Sequence, residues 1–216
     1  MIAYCGQTRE PGLIAELEAL GIGECTQRGE LPARRSRFFH DCRTFSDWRN
    51  GLPFDGVRWT RDQWRIRNHG LHPDFVVVPD LIAAGLASLD LSARERPHVA
   101  DGAPAYLVVQ EEMTPSIVAS WLDEQPDPYH GIFVGGAALQ WKIDTGPSWI
   151  ALAHDRGMRC HLGRCGPPDR VRWARSVGFD SIDSSLPLRA RHHMIAFIEA
   201  LGLSTTPVLG AASTDR

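Results

Sequence analysis

Two aspartates, Asp41 and Asp183, each stand at the end of a short β-rich run. Two carboxyl groups brought to one place divide a hard substitution between them. One attacks as a nucleophile and the other carries protons. Other runs of the same kind also end in polar or small groups: Val76-Val77-Val78-Pro79-Asp80, Val108-Val109-Gln110, Gly135-Gly136 and Gly163-Arg164. A buried run that ends in a polar group leaves that group needing a partner. An aspartate after a strand is also a common helix cap, so any one of these positions carries little. The set carries more, because three carboxylates, an amide, an arginine and a glycine pair converge on one mouth if the strand ends share a side.

The elements that must position them recur along the chain. The apolar, β-rich runs are Met1–Gly6, Gly21–Thr26, Arg37–Asp41, Asp74–Asp80, Ala105–Gln110, Gly131–Gly136, Arg159–Arg164 and Asp180–Ser184. Such runs with almost no polar alternation indicate strands buried on both faces, hence a parallel sheet. Helical spacing follows most of them, at Pro11–Leu20, Ser116–Leu122, Pro147–Arg156, Pro168–Val177 and Arg191–Leu201. Thr114-Pro115 reads as a cap followed by proline at the first helical position. Gly157 and Gly178 read as C-terminal stops. Eight strands alternating with helices predict an α/β fold, a compact (β/α)₈ TIM-like barrel, with an open doubly wound sheet as the alternative. The segment Gln27–Ser36 is too short and arginine-rich for an ordinary helix, so one barrel helix is expected to be missing or shortened there. Residues 1–203 read as a single domain and 204–216 as a polar tail that frays. In such barrels the active site lies at the C-terminal strand ends.

Composition sets outer bounds. The 216 residues are 43% hydrophobic and 23% charged, an ordinary globular balance, with net charge −3. No apolar run is long enough for a membrane span, and the N-terminus lacks the features of a signal peptide. The expected location is cytoplasmic, in a bacterium or a phage-infected host cell. Cys5, Cys25, Cys42, Cys160 and Cys165 are odd in number and lack C-x-x-C spacing, which argues against a disulfide framework or a zinc knuckle. Cys160, His161 and Cys165 mimic a metal cluster, but the first two point to opposite faces of a strand. No metal and no cofactor are expected.

The same residues carry a resemblance. The sequence resembles the tRNA-guanine transglycosylase superfamily, and is most similar to the short phage and bacterial relatives that place 7-deazaguanines in DNA. The similarity runs from about Phe38 to His192. It rests on Phe39-His40-Asp41-Cys42-Arg43-Thr44-Phe45, Val77-Val78-Pro79-Asp80, Val108-Val109-Gln110, Gly131-Ile132-Phe133-Val134-Gly135-Gly136, His161-Leu162-Gly163-Arg164, and Gly178-Phe179-Asp180-Ser181-Ile182-Asp183-Ser184-Ser185-Leu186-Pro187-Leu188-Arg189. The resemblance implies that Asp183 is the nucleophile and Asp41 the general acid and base. It implies that Phe45 stacks on the base with Leu162 on the other face, and that Asp80, Gln110 and the Gly135-Gly136 backbone read the purine edge. Relatives carry small residues, often glycine, just after the acid/base aspartate, where this chain has Cys42-Arg43-Thr44. The tRNA-acting members also carry a C-terminal zinc subdomain built on closely spaced cysteines and a histidine. No cysteine follows Cys165, which favours DNA or a smaller nucleoside over tRNA.

Positive charge is nearly all arginine, with Lys142 the only lysine. Arg34, Arg35, Arg37, Arg164, Arg189 and Arg191 form the expected track for nucleic-acid phosphate, where contacts position the substrate without reading its sequence. Arg170, Arg172 and Arg175 read instead as a solvated helix face. Of the tryptophans, most read as packing, and Trp141-Lys142 as candidates to border the pocket. The expected partners are DNA and a free 7-deazaguanine base, with no membrane; a homodimer remains open. The resemblance implies DNA base exchange that protects against restriction nucleases. The alternatives are a transglycosylase or hydrolase for free nucleosides or tRNA, and a non-catalytic base-binding subunit.

Overall fold

The computed structural model describes residues 1–27, 29–33 and 37–204. Its eight strands are β1 (Ile2–Gly6), β2 (Gly23–Gln27), β3 (Phe38–Asp41), β4 (Phe75–Val77), β5 (Ala105–Val109), β6 (Gly131–Val134), β7 (Arg159–Leu162) and β8 (Ser181–Ser184). Each pairs in parallel with its sequence neighbours and β8 returns to β1, so the sheet closes into a (β/α)₈ barrel. The helices are α1 (Pro11–Ala19), α2 (Thr44–Arg49), α3 (Gly56–Asn68), α4 (Ala87–Glu95), α5 (Pro115–Asp123), α6 (Leu139–Asp155), α7 (Pro168–Val177) and α8 (Arg191–Ala200). Among the described residues no helix separates β2 from β3, and two helices follow β3 instead. The tail from 205 onward lies outside the described residues, as do Arg34 and Arg35.

The barrel interior is closed by aromatic rings. Phe39 stacks on Phe75 at 4.5 Å between centroids, Phe75 on Tyr106 at 4.0 Å, and Phe133 on His161 at 4.6 Å. Tyr4 meets Phe39 edge-on at 5.0 Å. Large rings fit because glycines face them: a Cβ on Gly23 would lie 2.4 Å from the Tyr4 ring, and one on Gly131 2.4 Å from the Tyr106 ring. This layer fills the barrel as side chains do in small barrels, and it forms the floor on which the strand-end residues stand. The outward faces of the strands, Val76, Leu107, Ile132, Cys160 and Ile182 among them, are buried against the helices.

Helices α2, α3 and α4 add to the five that the spacing predicts, and one of those five starts earlier than expected. The pattern places a helix start at Pro147, but α6 begins at Leu139 and runs through it. Proline disfavours helix in the preceding residue through a clash with that residue's Cβ, and Gly146 has none. Bare backbone at Gly146 also lets Trp173 and Phe179 pack close, since a Cβ there would lie 3.1 and 3.2 Å from their rings. The early turns are tied to the barrel by Lys142, whose Nζ donates to the Gly163 carbonyl at 2.8 Å. Among the described residues no helix is long and apolar enough to cross a membrane.

Candidate active site

A cavity of about 800 Å³ opens at the C-terminal strand ends, within the size range of small-molecule sites. Asp41, Phe45, Asp80, Gln110, Gly135, Gly136, Arg164, Asp183 and Arg189 all line it. Its charged lining is mixed, with the carboxylates Glu30, Asp41, Asp80, Glu111 and Asp183 and the arginines Arg43, Arg49, Arg164 and Arg189.

Asp183 is held through one oxygen. Its Oδ1 accepts from the Arg164 backbone N–H at 3.0 Å and faces Nε2 of His161 at 3.1 Å. The other ring nitrogen of His161 lies 2.8 Å from Ser181 Oγ. The ring is fully buried, and burial lowers its pKa, so it is the neutral form that occupies the barrel. A neutral imidazole has one donor nitrogen. The carboxylate partner assigns the proton to Nε2, and Ser181 then donates to Nδ1. Oδ2 of Asp183 takes no hydrogen bond among the described residues and its side chain is 17% exposed to the cavity.

Asp41 is set differently. Its Oδ1 accepts from the Arg43 N–H at 2.8 Å. Burial, reinforced by the charge of Asp183, pushes its pKa up to about 6. Asp80 is also pushed to about 6, chiefly by burial, while Thr44 Oγ1 donates to its Oδ1 at 2.5 Å. A carboxyl group poised near 6 can both give and take a proton near neutral pH.

Backbone conformation explains how these carboxylates are gripped. Among the described residues, the non-glycine residues with positive φ are Arg43 (67°), Ala83 (57°), Glu112 (70°) and Arg164 (60°). They follow β3, β4, β5 and β7, at the mouth. Left-handed backbone is costly for residues with a Cβ, and such strain collects at functional sites. Three of the four turn their own N–H onto a site side chain: Arg43 onto Asp41, Arg164 onto Asp183, and Ala83 onto Gln110 Oε1 at 2.8 Å.

Several of the expected base-reading groups are engaged by protein partners. Gln110 lines the cavity, but both ends of its amide are engaged by the loop after β4, since Nε2 also donates to the Leu81 carbonyl at 2.8 Å. The N–H groups of Gly135 and Gly136 both point to the Val109 carbonyl, at 2.9 and 3.4 Å. Their carbonyls accept from Arg164, whose guanidinium lies 4.0 Å above the Phe45 ring. One face of Phe45 is therefore covered by a cation. Gly136 is needed for packing, since a Cβ there would lie 2.6 Å from Trp141, which sits behind it.

Other residues are elsewhere. Leu162 neighbours the inward-facing His161 and so points outward; it lines a separate cavity of about 140 Å³ with Lys142, Arg170 and Trp173. Arg37 precedes β3, at the opposite end of the barrel, with its Nε 3.5 Å from Asp74. Arg191 is paired with Glu16 of α1, at 2.5 Å. Of the arginines proposed for phosphate, Arg189 and Arg164 reach the cavity.

His161 is the residue that sequence reasoning missed as a partner of Asp183. The strand is buried on both faces at Cys160, His161 and Leu162, so its pattern carries no signal for the inward residue. Among the described residues no group of three or more His, Cys, Asp or Glu is arranged to hold a metal. No family model matches the chain, and no curated protein matches it.

Proposed function

We propose that this protein is a glycosyltransferase of the base-exchange kind, a DNA guanine transglycosylase that replaces guanine with a 7-deazaguanine such as 7-cyano-7-deazaguanine. The observation that carries the reading is the unequal setting of two carboxyl groups on one cavity. Asp183 is fixed through Oδ1 with Oδ2 free, and Asp41 is poised near 6. The choice of guanine, of DNA and of the incoming base rests on the family resemblance.

In the first half-reaction Asp183 Oδ2 attacks the anomeric carbon as the bond to the purine breaks. The bonding pair leaves with the base, and protonated Asp41 supplies its proton. In the second, the incoming base gives its N–H proton to the Asp41 carboxylate, bonds to the same carbon and releases Asp183. Two inversions give net retention. Asp80 is acceptor-only when ionised and suits the N–H and amino edge of guanine. Arg189 at the rim is suited to a backbone phosphate. A base inside the cavity has left its stack, so single-stranded or flipped DNA is the reacting form.

The test is DNA incubated with free 7-cyano-7-deazaguanine, digested to nucleosides and analysed by mass spectrometry. Wild type should yield the modified deoxynucleoside, and Asp183→Ala none. Unmodified DNA with the wild type would overturn the reading. Exchange on free deoxyguanosine alone would replace it with a nucleoside enzyme.

A further inference from the structure

We propose that the exposed rings and arginines of α2, which lines the cavity mouth, and of α3, the helix after it, serve as a stacking platform for single-stranded nucleic acid. Trp48 and Trp64 are 49% and 62% exposed, whereas tryptophan is highly buried on average. On α3 the exposed residues Val57, Arg61, Trp64 and Asn68 are spaced four, three and four apart and share one stripe, while Trp59, Gln63 and Ile66 bury the other.

The charges on this face are one-sided. Arg49, Arg58 and Arg61 make no ion pair or hydrogen bond through their side chains among the described residues, whereas Arg65 and Arg67 are taken by Asp62 and Asp101. The acids of the segment are turned away: Asp47 and Asp62 are buried, and Asp55 caps α3 by accepting from the Arg58 N–H. Unpaired arginines stand out on a chain whose net charge is −3. The platform also continues into the cavity, since the Trp48 ring lies 5.8 Å from Phe45 and Arg49 lines the mouth.

Cations interleaved with exposed rings fit a polyanion whose units present flat faces. Bases must be unstacked from each other to lie on such rings, which selects a single strand over a duplex. The inference deepens the base-exchange reading and rests on it only for the direction of the strand, which would run from the platform towards Asp183.

The experiment is anisotropy of a fluorescein-labelled oligothymidylate titrated with full-length protein at several salt concentrations. Trp48→Ala and Trp64→Ala should each weaken binding by about 5- to 150-fold, from the usual worth of one base stacked on an aromatic ring. Trp64→Phe should recover most of the loss. Arg58→Glu with Arg61→Glu should flatten the salt dependence, and Arg172→Glu on α7 should leave affinity and slope unchanged. Binding that is absent, or that survives these platform variants, would overturn the proposal. So would self-association or vesicle binding that Trp64→Ala abolishes, since another partner would then own the face. Platform-dependent binding without base exchange would sink the proposed function alone. Base exchange in DNA that proceeds undiminished in the Trp48→Ala and Trp64→Ala variants would sink the platform alone.

Discussion

His161 Nε2 lies 3.1 Å from Asp183 Oδ1, inside the barrel and beneath the cavity floor, with Ser181 on the other ring nitrogen. This chain fixes which carboxylate oxygen faces the cavity. His161 touches no reacting atom and acts as a positioning residue. His161→Phe fills the same space but removes the donor. It should slow formation of the covalent Asp183–sugar species by about 10- to 100-fold, from the usual 1.5–3 kcal/mol of a hydrogen bond to a charged group. His161→Gln, which can still donate, should recover part of the loss. The readout is the single-turnover rate of adduct formation on denaturing gels, with thermal melting beside it to confirm folding. A His161→Phe rate within twofold of wild type would remove the residue from the mechanism.

Asp41 predicts opposite pH dependences for the two half-reactions. Its pKa is raised to about 6 by burial and then by Asp183. Departure of guanine needs the protonated form, so its single-turnover rate should fall about tenfold per pH unit above roughly 6. Attack by the incoming base needs the carboxylate, so that rate should rise to a plateau above the same point. Asp183→Asn removes a like charge and should lower the Asp41 midpoint, measurable by carbon NMR of the carboxyl group. A midpoint that stays fixed would mean that the two groups do not sense each other.

Asp80 links the site to stability. Its folded pKa, pushed to about 6 by burial, lies above the unfolded value of about 4. Its contribution is therefore fully present below pH 4 and is lost as pH rises through about 6. At pH 8 the ionised group should cost on the order of 3 kcal/mol. Asp80→Asn, which can still accept from Thr44, should raise the melting temperature at pH 8, leave it nearly unchanged at pH 4, and impair guanine binding. Equal melting shifts at both pH values would show that ionisation of Asp80 is not the cause.

The sheet was legible because eight apolar runs of strand length recur with helices between them, and seven observed strands fall inside those runs while β2 extends one residue past its run, to Gln27. Positions at the upper strand ends, such as Asp41 and Asp183, followed from that order alone. Inward or outward orientation was harder. Strands buried on both faces show no polar alternation, so nothing in Cys160-His161-Leu162 marks His161 as inward and Leu162 as outward. Arg37 could have been placed, because a residue before a strand belongs to the opposite end from the mouth. The Arg191–Glu16 pair joins residues 175 apart, and no local pattern predicts it. Gln110 ends its run and lines the cavity, but its engagement by Leu81 and Ala83 depends on a left-handed turn. The turn residue is alanine, which gives no hint of it.

Lys142, the chain's only lysine, is 5% exposed and among the described residues its side chain makes one hydrogen bond, to Gly163. Burial, with the nearby charge of Arg164, lowers its pKa to about 7 from an ordinary value near 10.5. A folded pKa below the unfolded one means that the folded state loses stability as pH falls from about 10.5 to about 7, where the unfolded chain alone holds the proton. The full span corresponds to on the order of 5 kcal/mol. Lys142→Met keeps the stem and removes the charge, but leaves the Gly163 carbonyl without its donor, a loss of about 1–3 kcal/mol. The net gain at pH 7 should be about 1–3 kcal/mol, and it should vanish or reverse near pH 11. The measurement is urea unfolding of both proteins across that range. A difference that does not change with pH would mean that the lysine is charged in the folded state, held by groups other than the Gly163 carbonyl. A gain that shrinks towards alkaline pH would identify Lys142 as a stability cost retained beside the site, where it ties α6 to the loop that places Arg164 on Asp183.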